Sequence, residues 1–380
     1  MKILADQNIP CVEEAFQGLG EVRLLPGREI EARHLRDCQS LITRTVTRVD
    51  ADLLAGSAVE FVGTATIGTD HIDLDYLDSA GIACSNAAGC NAEAAAEYVV
   101  SGLFALSQQR GFDPLQLKAG IVGCGNVGSN LLEKLETLGI DCLVCDPPLQ
   151  QRAGQQRDFV SLDTILAECN FISLHVPLTR AGDHPTFHLL DTSRLRRLAD
   201  GCVLVNAARG EVIDNAALLE LLRQRDDLSV FLDTWENEPR ILRELLQRVD
   251  LATPHIAGYS VEGRLRGTQM VLDAACAHFG LESCWHMQQQ LPPRRSIDCG
   301  DLGAGTRFWQ GLFQRHCDIR RDHDALLAGV DFSDDAFATH FDGLRRVYPD
   351  RLEYARFSLG LDATAQAQPQ LRQLGFHLLE

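Results

Sequence analysis

The stretch Ala119-Gly120-Ile121-Val122-Gly123-Cys124-Gly125-Asn126-Val127-Gly128 decides the fold. It opens as a short apolar run and turns into G-x-G-x-x-G, and the residues that follow, 127–138, are amphipathic. Glycine-rich turns are common, so the spacing acquires meaning only from this strand-before, helix-after context. Gly123 permits the tight turn, Gly125 lets the backbone approach a pyrophosphate, and Gly128 lets helix and strand pack closely. The helix N-terminus, at Asn126 and Val127, then offers N–H groups and a positive dipole end to phosphates. Asp146 lies 18 residues after Gly128, at the end of the next apolar run. A carboxylate there can accept ribose hydroxyls and repels a 2′-phosphate, so the expected cofactor is NAD rather than NADP. The competing reading makes Asp146 a turn or cap residue of Asp146-Pro147-Pro148.

Outward from this motif the chain alternates regularly. Apolar runs at 119–123, 142–145, 171–175, 203–206, 229–233 and 250–253 are separated by amphipathic segments such as 127–138 and 215–222. Six strands with crossovers predict a doubly wound parallel sheet. Upstream, shorter runs at 2–5, 41–44, 60–64 and 82–85 predict a second β/α alternation, and 91–106 is apolar nearly all round, as a buried helix would be. A further helix is expected over 261–279, and Pro292-Pro293-Arg294-Arg295 reads as a linker. The remainder carries Phe308, Trp309, Phe313, Phe332, Phe337, Phe341, Tyr348, Tyr354 and Phe357, enough aromatic surface for a small core or a subunit contact.

Composition narrows the function. Hydrophobic residues at 45% and charged residues at 23% describe a soluble globular protein, and 380 residues exceed one ordinary core. A net charge of −18 argues against nucleic acid or anionic membrane as a partner. The N-terminus lacks a signal-peptide core and no stretch is apolar enough to span a bilayer, so a cytoplasmic location is expected. The 13 cysteines read as reduced core thiols. For Cys142 and Cys145, an offset of three on a strand points the two thiols to opposite faces. No ligand cluster is evident, and no metal is expected.

Three patches close predicted strands: Asn206-Ala207-Ala208-Arg209-Gly210, Asp233-Thr234-Trp235-Glu236-Asn237-Glu238, and Thr253-Pro254-His255-Ile256-Ala257-Gly258. Strand C-termini of an open parallel sheet face the ligand crevice, so the patches can converge there. Singly, Arg209 could be a surface cation, Glu238 a loop carboxylate and His255 a turn histidine. Jointly they meet the needs of hydroxy-acid oxidation. Arg209 offers a bidentate fork for a carboxylate. His255 titrates near working pH and suits a general base. Glu238 can hold the imidazole in one tautomer and stabilise the imidazolium.

These patches and the glycine motif resemble the D-2-hydroxyacid dehydrogenase family over about residues 1–285. The resemblance implies catalytic roles for Arg209, Glu238 and His255. It also implies cofactor contacts at Gly123, Gly125, Asn126, Val127, Gly128, Asp146, His175, Ala207, Ala208, Arg209, Asp233 and Gly258. It further implies a discontinuous, flavodoxin-like substrate domain (1–93 and 258–285) and a Rossmann NAD-binding domain (94–257). A small C-terminal α+β domain (290–380) would then make a homodimer. The span 179–188 departs from the usual family pattern and leaves the cofactor contacts beyond His175 open.

A narrower resemblance concerns 4–10, 64–73, 255–260 and the extra C-terminal segment. It implies a phosphorylated substrate, 4-phospho-D-erythronate, oxidised to 3-hydroxy-2-oxo-4-phosphobutanoate on the way to pyridoxal 5′-phosphate. Arg44, Thr45, Thr66 and Tyr259 are the expected substrate contacts, since hydroxyls and an arginine suit a carboxylate or phosphate. His71 and Asp73 are expected to cap a helix starting near Leu74. Two rivals stand beside this reading. One is a dehydrogenase of another 2-hydroxy acid such as 3-phosphoglycerate, and the other a non-catalytic NAD-sensing protein.

Overall fold

The apolar runs at the N-terminus form a five-stranded parallel sheet because both of its faces are covered. Its strands are β1 (Lys2–Asp6), β2 (Glu21–Leu25), β3 (Ser40–Thr43), β4 (Phe61–Thr64) and β5 (Ala83–Asn86). Their order, β2-β1-β3-β4-β5, is flavodoxin-like. Ile3, Ala5, Ile42 and Phe61 pack with Val271, Leu272 and Ala275 of the Val261–Phe279 helix. Alternate residues Leu4, Leu41 and Val62 pack on the opposite side with Leu53, Leu54 and Leu77. Burial on both faces explains why these strands read as continuous apolar runs. The sequence reading missed β2, an edge strand in which Glu21 and Arg23 are exposed and the apolar residues only half-buried.

The computed structural model describes residues 1–152, 157–360 and 367–379. They divide into two compact units, Met1–Ala92 with Ser260–Pro293, and Glu93–Tyr259 with Arg294–Glu380. The second unit holds a six-stranded parallel sheet of β6 (Lys118–Val122), β7 (Asp141–Cys145), β8 (Phe171–Leu174), β9 (Val203–Asn206), β10 (Ser229–Leu232) and β11 (Leu251–Ala252). The order β11-β10-β9-β8-β6-β7 places the switch point between β6 and β8, beside the glycine motif. Beyond β7, the Val160 N–H donates to the carbonyl of Val144 in that strand at 2.8 Å.

The segment expected to stand apart as a C-terminal domain is part of this second unit. It has its own three-stranded parallel sheet, β12 (Arg295–Ile297), β13 (Phe357–Gly360) and β14 (His377–Leu379), with β13 central. Yet Leu326, Phe337 and Phe341, at most 1% exposed, join the hydrophobic cluster of Leu232, Leu245 and Leu246. Each such side chain contributes roughly 2–3 kcal/mol of burial. Phe313 meets Phe104 of the Ala92–Arg110 helix with ring centroids 4.9 Å apart. The Ile319–Leu327 helix covers the sheet edge, where the Ala252 N–H donates to His323 Nδ1 at 3.1 Å. Residues 361–366 and 380 of the expected 290–380 domain lie outside the described residues. No helix among the described residues is long and apolar enough to cross a membrane.

Candidate active site

The glycine turn is built as its residue types require. Gly123 has φ +90°, and a Cβ on Gly128 would overlap the Gly123 carbonyl, so helix and strand meet only with glycine there. Above Gly125, which precedes the Asn126–Thr137 helix, there is open space. Asp146 does two things at once. Its Oδ1 caps the next helix by accepting the Leu149 N–H at 2.9 Å, and its Oδ2 accepts the Cys124 N–H at 2.7 Å. The cap and the ribose readings are therefore compatible, because each carboxylate oxygen keeps a further lone pair. Beside the turn, His175 Nε2 bonds Ser173 Oγ at 2.8 Å while buried Nδ1 has no partner. Burial pushes this imidazole down to about 4, so it is neutral. The open space over Gly125 and the orphaned nitrogen fit a bound dinucleotide.

Arg209 follows β9. The buried Asn206 side chain shapes its turn, accepting the Ala208 N–H at 3.1 Å and donating to the Arg209 carbonyl at 2.9 Å. Arg209 Nη1 donates to the Ala208 carbonyl at 2.8 Å. At Gly210 a Cβ would overlap the Trp235 carbonyl group, so glycine lets the Arg209 turn approach the Glu238 loop. That loop is anchored by Trp235, whose indole N–H donates to the Thr253 carbonyl at 2.9 Å.

Glu238 and His255 are in direct contact, His255 Nδ1 to Glu238 Oε2 at 2.8 Å. Glu238 Oε1 accepts the Trp235 N–H at 2.9 Å. Burial raises the Glu238 carboxyl, but the His255 charge and hydrogen bond, the Trp235 N–H and Arg345 outweigh it and hold the group below the ordinary glutamate range. His255 has φ 56° and Asn237 φ 61°, left-handed values rare outside glycine. Buried Asp233 fixes the histidine turn: Oδ1 accepts from Thr253 Oγ1 at 2.6 Å and Ile256 N at 2.8 Å, and Oδ2 from Ala257 N at 3.0 Å. These three donors leave one Oδ2 lone pair of Asp233 uncommitted, at a residue for which the resemblance implied a cofactor contact. Ala207, Ala208 and Gly258 lie on the same turns, after β9 and after His255.

In the first unit, Arg44, Thr45 and Thr66 follow the C-terminal ends of β3 and β4, neighbours paired Thr43 to Thr64. Arg44 is already engaged, its Nε donating to buried Asp6 Oδ2 at 2.9 Å. Thr45 is exposed, and Thr66 Oγ1 lies 2.7 Å from Thr64 Oγ1. Asp73 caps the Leu74–Ala80 helix by accepting the Tyr76 N–H at 2.9 Å. His71 does not share that capping; its Nε2 lies 3.2 Å from Thr64 Oγ1, and burial lowers its pKa. In the second unit, Tyr259 packs edge-on against Tyr348 at 6.0 Å.

Cys142 and Cys145 are thiols, raised by burial to about 12 and about 11. In the span 179–188, Thr179 N–H donates to Thr186 Oγ1 at 2.8 Å, closing a local loop. His188 from this loop, with Asp214 and Glu236, brings ligand-type atoms within 4.8 Å of one another. The carboxylates face opposite ring nitrogens, Nε2 at 2.6 Å from Glu236 and Nδ1 at 3.7 Å from Asp214. As placed, the imidazole lies between two acids, with Glu236 on Nε2 in a hydrogen bond.

Fold and site together define an NAD-dependent dehydrogenase of D-2-hydroxy acids. Residues 87–257 match the NAD-binding domain of the D-isomer specific 2-hydroxyacid dehydrogenases. A solved structure, the NAD⁺-bound 3-phosphoglycerate dehydrogenase of Entamoeba histolytica, is similar with TM-score 0.63 and 25% identity, covering 74% of this chain and 95% of that one. More similar in sequence is the erythronate-4-phosphate dehydrogenase of Chromohalobacter salexigens, 47% identical over 95% of this chain and 94% of its own. That of Azotobacter vinelandii is 46% identical over 98% of both chains. The chain belongs to the erythronate-4-phosphate dehydrogenases, within the D-2-hydroxyacid dehydrogenase family.

Proposed function

We propose that this chain oxidises 4-phospho-D-erythronate at C2 to 3-hydroxy-2-oxo-4-phosphobutanoate, a step of vitamin B6 biosynthesis, in the cytoplasm. The observation that carries the mechanism is the 2.8 Å contact between His255 Nδ1 and Glu238 Oε2. Glu238 accepts the Nδ1–H, which leaves Nε2 as the basic nitrogen that takes the hydroxyl proton. The charge that develops on the imidazole is offset by the adjacent carboxylate, and this is worth most in a partly buried site. Arg209 holds the substrate carboxylate as a planar fork, so that C2 is oriented rather than merely bound. NAD⁺, when bound, supplies the hydride acceptor. The substrate assignment is supported by the near full-length similarity to enzymes of that name. It is tested by the rate of NADH formation with 4-phosphoerythronate, 3-phosphoglycerate and D-lactate. Indifference to the first of these would overturn it, and preference for the second would favour the rival reading.

A homodimer is the second part of the proposal. Phe332, Val347 and Leu379 of the C-terminal segment are exposed, Val347 at 73%. Because this segment shares the core of its unit, deletion would not test its role cleanly. The mass of the whole chain in solution does, together with a Val347→Asp variant. A monomeric wild type would end this part of the reading.

A further inference from the structure

A substrate with a carboxylate and a phosphate brings two anionic groups to a chain of net charge −18. Arg209 accounts for one. A further cation would suit the second, since the expected contact Arg44 already has its Nε on Asp6, and this inference rests on the proposed substrate class.

The C-terminal segment brings such a cation to Tyr259. Beyond the Asp334–Arg346 helix, the Tyr348 ring meets Tyr259 edge-on, and Arg351 Nε donates to the Tyr259 carbonyl at 2.8 Å. Arg345 lies in the last turn of that helix. Its Nε is buried and has no hydrogen-bond partner. Its acidic neighbour Asp342 is at 4.0 Å, the outer limit of an ion pair. The side chain as a whole is 29% exposed. Burial lowers its pKa, but Tyr259, which its side chain also meets in a hydrogen bond, and Glu238 outweigh that effect, which sets Arg345 beside two residues of the site. A guanidinium keeps its charge at any working pH, so its buried N–H calls for an acceptor.

We propose that Arg345 binds the phosphate of the substrate, which makes the C-terminal segment part of the active site of its own chain. Arg209, on the sheet, would then take the carboxylate beside the reacting carbon, and Arg345 the far end of the molecule. The competing role is structural, with Arg345 serving only as a counter-charge that keeps Glu238 ionised. The two roles predict different kinetics. A phosphate ligand acts mainly on KM, and only for phosphorylated substrates, whereas a counter-charge to Glu238 acts on kcat for every substrate.

The test compares wild type with Arg345→Gln and Arg345→Lys. For 4-phosphoerythronate the glutamine variant should raise KM roughly 10- to 100-fold, with partial recovery in the lysine variant. The penalty with D-erythronate, which lacks the phosphate, should be far smaller, and KM for NAD should not move. Equal losses with both acids, or a fall in kcat at unchanged KM, would overturn the proposal. Inorganic phosphate gives a second readout that does not depend on turnover. It should raise the melting temperature of wild type but not of Arg345→Gln, and an equal rise in both, or none in either, would overturn the assignment. If wild type binds phosphate through Arg345 yet does not oxidise 4-phosphoerythronate, the substrate reading fails while the anion site stands.

Discussion

His255 and Glu238 face each other because two unusual backbones put them there. His255 and Asn237 both adopt left-handed φ values, and buried Asp233 secures the histidine turn with three hydrogen bonds. Such conformations cost on the order of 1–3 kcal/mol each and persist only where surrounding contacts over-determine them. Replacing His255 with Asn should lower kcat by about 10²–10⁴ while NAD still binds, as steady-state rates and cofactor fluorescence titration would record. Glu238→Gln should lower it less, since the amide keeps the shape and loses the charge. Full turnover in His255→Asn would remove the histidine from the mechanism. At Gly210 the prediction is steric. A methyl group would overlap the Trp235 carbonyl, so Gly210→Ala should reduce both melting temperature and kcat by pushing the Arg209 turn away from the Glu238 loop. An alanine variant of wild-type stability and rate would show that the loops yield freely.

At the scale of elements, the strand ends do the placing and the C-terminal segment does the holding. Arg351, 7% exposed, donates to the carbonyls of Ala257 and Tyr259 and lies over the Tyr98 ring at 4.4 Å. Arg351→Met would leave two carbonyls without their donor and should cost about 2–4 kcal/mol in urea unfolding. Because those carbonyls lie two and four residues after His255, kcat should fall as well, even under conditions where the variant is fully folded. A loss of stability with unchanged kcat would confine Arg351 to a packing role. The same contacts explain what the sequence reading could and could not see. The runs at 203–206 and 229–233 ended where β9 and β10 end, to within a residue, because buried parallel strands leave a continuous apolar signature. β2 and the strands of the C-terminal sheet leave no such signature, being short and partly exposed.

Across the whole molecule, two buried histidines tie stability to pH. Burial pushes His175 down to about 4 and His316 down to about 3. Both stay neutral in the folded chain, whereas unfolded histidine takes a proton near pH 6.5. The unfolded state thus binds more protons below about pH 6.5, and stability present above that pH is lost as it falls toward 4. The expected loss is about 1.4 kcal/mol per pH unit for each histidine. His316→Gln, whose amide reaches the position of Nε2 and keeps a donor for the Leu352 carbonyl, should flatten the decline of melting temperature with falling pH. A slope identical to wild type would mean that folding does not shift the titration of His316.

Local rules were enough to read the cofactor turn and the strand ends from the chain alone, and to single out Arg209, Glu238 and His255 as candidates. Glycine spacing, apolar periodicity and residue chemistry each act over a few residues. Tertiary structure alone decided that Asp146 caps a helix while bracing the glycine turn, and that Arg44 is paired with Asp6. It alone brought Arg345 and Arg351 to Tyr259. Those pairings join residues 22, 38, and more than 80 positions apart. Arginine carries no periodic signal of its own, and only the packing of the aromatic segment against the sheet determines which site its charge serves.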